Sequence, residues 1–251
     1  QLNHLPLWTD KIGGGFPILA EGQTGVFFIS NLILFKLFDA VTAYNFALVL
    51  TAATFGWGMY WWLRTLCVGR ILSFFGGTTL AFSGIVIPQL PHITLLQGIS
   101  LLPFVMNITH RLMQTKRPRW MLFLALLLSQ QLFAGFPQAV VVTVVFAGAY
   151  YVWLTRKSKT KLRDYLLFAA GIAIAVGLSA VQLLPSWEFL TQSTNPKGFD
   201  GATASFFSYP IRHLWTLIDP FAFGNPKYGT YPPFYKAQGS IFWENSGFVG
   251  L

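Results

Sequence analysis

Few side chains in this chain are equipped for acid–base or ligand chemistry. Eight acids and four histidines are spread over 251 residues. A carboxylate placed within hydrogen-bond reach of a hydroxyl is a general base, and the same group is a metal ligand. Asp10, Glu21 and Glu244 are the carboxylates set in loops where either role fits. Glu21 closes the stretch LPLWTDKIGGGFPILAEGQ (residues 5–23). Glu244 lies among aromatics in IFWENSGF, where an acid is costly unless it is paired or hydrogen-bonded. His92, between two prolines in PQLPHIT, suits contact with a phosphate or an acceptor group. Gln138 closes the break GFPQ and can turn an amide toward a cavity. Glu188, in LLPSWEF, stands beside an apolar run, with Lys197 or Arg212 as candidate partners. Each also has an ordinary reading as a solvated loop residue, a turn residue or, for Glu21, an acid at a helix N-terminus.

The elements that must position these groups are apolar. The chain is 54% hydrophobic and 10% charged, against about 25% charged in a typical soluble domain. That deficit indicates an all-α integral membrane protein, a polytopic helical bundle. A span needs about 20 apolar residues. Six candidate spans follow, at 41–63, 71–87, around 95–108, 120–134, 139–154 and 165–184. Residues 27–38 are apolar too, but Lys36 and Asp39 close the run early, so it reads as interfacial or re-entrant. The expected organisation is an outer loop over 1–40, a six-helix membrane region over 41–184, and an outer region over 185–251 that leads to further spans. The chain begins at Gln1 and stops in FVGL, and reads as an internal piece of a longer protein.

The net charge of +9 is a matter of sidedness. Arg64 and Arg70 flank the first short loop. Arg111, Lys116, Arg117 and Arg119 fill the second, and Arg156, Lys157, Lys159, Lys161 and Arg163 the third. Six spans put all three loops on one side, which the positive-inside rule makes cytoplasmic. The basic runs then require no nucleic acid. Asp164 is the one acid expected on that side, so the polar chemistry faces away from the cytoplasm. One cysteine, Cys67, permits no disulfide within the chain. Neither a GxxxxGK[ST] phosphate loop nor an HExxH zinc motif occurs, and the glycine triplet at 13–15 follows no strand as a dinucleotide loop would. That triplet reads as a turn that lets backbone approach something closely, or as a substrate contact.

Five stretches occur in the order PLWTDKIGGGFPILAEGQ, LAFSGIVIPQLPHI, LFAGFPQA, VQLLPSWEFLTQS and GSIFWENSGFVGL. With them the chain resembles the YfhO-like bacterial membrane proteins, a family that is similar to the GT-C superfamily of polytopic glycosyltransferases. The resemblance implies a protein of the bacterial plasma (inner) membrane. It implies transfer of a sugar from a polyprenyl-phosphate donor to a glycan or lipid acceptor of the cell envelope, on the outer face. It implies carboxylates in the first large outer loop, which this chain enters part-way. Thr9–Asp10 stands where the family is expected to show asparagine and proline. TQSTNPKG lacks an expected arginine, and Lys197 is the substitute. Such a transfer needs a base for the acceptor hydroxyl, and cations or a divalent metal ion for the departing phosphate. The alternatives are a flippase or transporter of a lipid-linked glycan and a non-catalytic subunit of envelope-polymer assembly. Predicted spans almost free of ionisable groups argue against an ion-coupled transporter.

Overall fold

The structure is a computed structural model and describes residues 7–156, 162–193, 211–232 and 242. Its regular elements are ten α-helices and two short 3-10 helices among the described residues. The β-pairing found there is an isolated antiparallel bridge, Thr9 to Phe16. The bridge closes the turn that holds the glycine triplet, with Thr9 and Phe16 exchanging backbone hydrogen bonds of 2.9 and 2.7 Å.

After this turn come the one-turn helix α1 (Ile18–Glu21) and α2 (Ile29–Leu37). The segment expected to be interfacial or re-entrant is thus a nine-residue helix, about 13 Å long and too short to cross a bilayer core of about 30 Å. Helix α3 (Ala40–Thr65) starts on Asp39, whose Oδ1 accepts from the amides of Val41 and Thr42 at 3.1 Å each. Helix α4 (Arg70–Ala81) packs back along α3, with Gly56 against Gly77. A Cβ on Gly77 would lie 2.6 Å from the Gly56 carbonyl oxygen, so glycine is what lets these backbones meet. Helices α5 (Ile93–Ser100) and α6 (Leu102–Thr115) form one nearly continuous rod. Pro103 has no N–H to give to the end of α5, which accounts for the break at Leu101. Helices α7 (Pro118–Phe133) and α8 (Pro137–Thr155) each start on a proline, where the missing donor costs nothing. Helix α9 (Leu162–Leu178) is followed by α10 (Ala180–Thr191) at an angle of 70°.

Each of the six expected spans is helical over most of its length. By length and composition three rods suffice to cross a membrane: Ala40–Thr65, Ile93–Thr115 and Pro137–Thr155. The bent pair α9–α10 makes a fourth if it is one broken span. Helix α4 rises about 18 Å and α7 about 24 Å, short of the bilayer core. The expected span 71–87 ends early, because residues 82–92 turn rather than continue the helix. The expected span 165–184 is interrupted at Ser179, and α10 turns away to lie against α1.

The rod Ile93–Thr115 is the centre of the bundle. Its apolar window is 67% buried, against 28% and 33% for the other two rods. Val105, Ile108 and Leu112 of α6 pack with Leu124 and Leu128 of α7 and Tyr151 of α8. At one end, Thr65 donates to Asn107 Oδ1 at 3.3 Å, and Lys116 pairs with Asp164 at 2.7 Å. Those contacts put the end of α3, the α6–α7 turn and the start of α9 at one end of the bundle. The α7–α8 turn necessarily lies at the other end.

Candidate functional site

At the end away from the basic loops, three distant stretches meet around a cavity of about 540 Å³. The opening loop contributes Ala20, Glu21, Gly22 and Gln23. The α7–α8 hairpin contributes Leu132, Gly135, Pro137 and Gln138, and α8 adds Val141 and Val142. Helix α10 contributes Gln182, Leu183, Ser186, Phe189 and Leu190.

Two glycines bring the backbones together. Gly135 has φ +88°, and a Cβ there would stand 2.2 Å from the Gly22 carbonyl oxygen and 2.8 Å from Gln23 Cα. Gly22 ends α1 in the same left-handed region, at φ +88°. The close backbone approach expected of residues 13–15 is made here instead. The triplet serves its own turn, with Gly15 lying under the Trp8 ring.

Glu21 is half-buried, and its Oε2 accepts from the Gln23 amide at 2.8 Å. The carboxylate is thereby fixed on the cavity wall with its second oxygen uncommitted to that bond. Gln182 is buried, and its Nε2 donates to the Leu19 carbonyl and, at 3.3 Å, to Ser186 Oγ. This tie fastens α10 to α1 and accounts for the bend after α9. Among the described residues the polar lining is therefore one carboxylate, the amides of Gln23, Gln138 and Gln182, and one hydroxyl. The remaining wall is apolar, and Val141 and Leu190 are also exposed on the outside of the bundle, so the cavity opens to the bundle's surface.

Of the residues singled out in the sequence, Glu21 and Gln138 line this cavity together. Asp10 is exposed in the opening turn and does not line the cavity. His92 is exposed at the start of α5, away from the lining. Glu188 is exposed on α10 and, among the described residues, forms no ion pair. Its suggested partner Arg212 lies instead over the Phe223 ring, 5.9 Å from the centroid. Lys197 and Glu244 lie outside the described residues. Among the described residues no group of three or more His, Cys, Asp or Glu side chains is placed to hold a metal ion. Glu21 alone does not make a divalent-cation cage, which needs several oxygen ligands.

Sequence reasoning missed Gln182 and Ser186. The signal was present: they stand four apart on a helix and so share a face. A second cavity, of about 510 Å³, lies between residues 82–88 and the tail segment, with Phe82, Pro88, Phe221, Asn225 and Lys227 in its wall.

No curated protein and no solved structure matches the chain. A family model described as "Bacterial membrane protein YfhO" matches residues 22–237, which is most of the chain. The chain belongs to the YfhO family of bacterial membrane proteins.

Proposed function

We propose that this protein is a membrane glycosyltransferase that moves a sugar from a polyprenyl-phosphate donor to an envelope acceptor, with Glu21 as the base. One observation carries the reading. The stretches 20–23, 132–142 and 182–190, far apart in sequence, converge on a single cavity whose one acid among the described residues is Glu21. The apolar wall formed by Val141, Leu183 and Leu190 suits an isoprenoid chain. The amides of Gln23, Gln138 and Gln182, with Ser186, suit sugar hydroxyls. In the transfer, an acceptor oxygen attacks the anomeric carbon and the bond from that carbon to the phosphate oxygen breaks. The acceptor proton passes to Glu21, and polyprenyl phosphate departs. No Lys or Arg lines this cavity among the described residues, so charge on the departing phosphate is met from outside it, with Lys197 the expected group. The positive-inside rule supports an outer-face position for the cavity in this reading.

The second reading, a flippase or an assembly subunit, draws on the same lack of cations in the lining. The test uses full-length protein in membrane vesicles, radiolabelled polyprenyl-phosphate sugar and an extract of envelope acceptors. Incorporation falls by about 10²-fold or more in Glu21→Gln, the scale of one lost general base. Incorporation unchanged in Glu21→Gln, with the protein folded, refutes Glu21 as the base. Donor movement across the bilayer without any incorporation favours the flippase.

A further inference from the structure

At the opposite end of the bundle, α3, α6 and α7 build a different constellation. Arg111 of α6 sits between two tryptophans. Its guanidinium carbon is 5.6 Å from the Trp61 ring centroid on α3 and 5.3 Å from that of Trp120 on α7. Its Nε donates to Asn107 Oδ1 at 2.8 Å, and Nη2 donates to Thr65 Oγ1 at 3.1 Å. Both acceptors are neutral. Among the described residues no carboxylate pairs with Arg111, and the nearby acid Asp164 is engaged by Lys116. Two of the five guanidinium donors are thus used, on neutral groups.

The surroundings sharpen the imbalance. Arg119 places a second guanidinium 5.0 Å from the same Trp120 ring, so one ring carries two cations. Asn107 is fully buried, yet its Nδ2 has no acceptor. The same amide's oxygen holds Arg111, which places this unmet donor beside the guanidinium. Trp120 Nε1 is also buried without an acceptor. Helix α7 starts here on Arg117, which gives no side-chain cap to its first turn. Cations stacked on indoles are stabilised by about 0.5–2 kcal/mol, but that does not satisfy their N–H donors or relieve their mutual repulsion. An oxyanion does both, and the guanidinium fork matches phosphate geometry.

We propose that the Arg111 and Arg119 guanidinium groups, the first aimed by Asn107 and Thr65 and both held against Trp120, bind a phosphate oxyanion at the basic end of the bundle. Tryptophans flanking the cations suit a headgroup at a membrane edge, and exposed Leu122, Phe123 and Leu126 continue along α7 as a surface for acyl chains. An anionic phospholipid and free phosphate present the same chemistry, and the experiment separates them. Full-length protein is delipidated in neutral detergent and titrated with phosphatidylglycerol, with phosphatidylcholine as the zwitterionic control, by native mass spectrometry. Inorganic phosphate is titrated in parallel by calorimetry. Arg111→Gln and Arg119→Gln each weaken binding about tenfold, and Arg70→Gln, on the same face but outside the constellation, changes it less than about twofold. Phosphatidylglycerol binding with this pattern identifies a lipid ligand, and inorganic phosphate binding with this pattern identifies free phosphate. The proposal is overturned if neither arginine variant weakens either ligand. It is equally overturned if Arg70→Gln weakens binding as much, because the attraction is then diffuse. Arg119 has no hydrogen bond to α3 or α6, so its variant remains informative if Arg111→Gln fails to fold.

Discussion

Replacing Gly135 by alanine tests the architecture of the cavity without removing any functional group. Two penalties combine at this position. At φ +88° an L-residue is held in a left-handed conformation, at about 1–2 kcal/mol. The new Cβ also falls 2.2 Å from the Gly22 carbonyl oxygen, a backbone atom that cannot rotate aside. Separating the strands of chain by the roughly 1 Å needed is an overpacking cost of about 1–3 kcal/mol. The sum is about 2–5 kcal/mol. Gly13→Ala isolates the first penalty, since Gly13 has φ +58° with nothing within 4 Å of its Cβ position. Unfolding both variants in mixed micelles should therefore show Gly135→Ala the less stable by about 1–3 kcal/mol. The proposed transfer gives this variant a second consequence. The atoms displaced belong to Gly22 and Gln23, and the Gln23 amide orients the Glu21 carboxylate. Sugar transfer should drop in Gly135→Ala under conditions where the protein remains folded. Equal stabilities for Gly135→Ala and Gly13→Ala would refute the close backbone contact, and with it the account of how the cavity is assembled.

The remaining predictions concern other parts of the bundle. His213 is buried and stacked on Phe223 at 4.5 Å, and burial, with the Arg212 charge second, pushes its imidazole below the usual histidine range. Its neutral form is the one the fold favours, so stability is full above the unfolded value of about 6.5 and declines as pH falls through that value toward the folded one. A melting profile from pH 8 to 5 should show that decline, flattened in His213→Leu; an unchanged slope would remove His213 as the cause. Asn31 and Gln97 exchange amide hydrogen bonds of 2.6 and 3.1 Å. Leucine at either position should cost about 1–2 kcal/mol, while both together cost less than the sum, because no amide is then left stranded. Additive single effects would sink that pairing.

The helices were legible because lipid demands long apolar runs, and the runs at 41–63 and 139–154 stand out without any tertiary knowledge. The gathering of the basic loops was legible from charge alone. The count of crossings was less so, since hydropathy does not show where a helix stops. Pro103 and the pull of Gln182 on the Leu19 carbonyl interrupt segments that are apolar on both sides of the break. The site was half legible. Scarcity marked Asp10, Glu21, Glu188 and Glu244 as candidates, but scarcity is not position. Glu188 illustrates the point: it follows Ser186 by two residues, about 200° around the helix, so the face that turns Ser186 into the cavity turns Glu188 out. Gln182 and Ser186, spaced by four, were the readable pair. Gly22 and Gly135 were not readable as partners, because nothing local to either says that the other lies opposite.

The two proposed sites lie at opposite ends of α7, a helix of 16 residues and about 24 Å. They share no side chain, and the packed apolar core of α6, α7 and α8 stands between them. Distant sites without common partners combine additively. Arg111→Gln should leave sugar incorporation per folded molecule unchanged in vesicles of fixed composition, and Glu21→Gln should leave phosphate or lipid binding unchanged. A doubly substituted chain should then show the product of the two single effects. Departure from that product would mean that occupation of the basic end is felt at the cavity. The element able to carry such coupling is α7 itself, since Trp120 stands at one end and Leu132, with the Gly135 turn, at the other. A rigid helix displaced at its first turn moves at its last. Non-additivity would therefore convert an anchoring site into a regulatory one, and additivity would leave it an anchor.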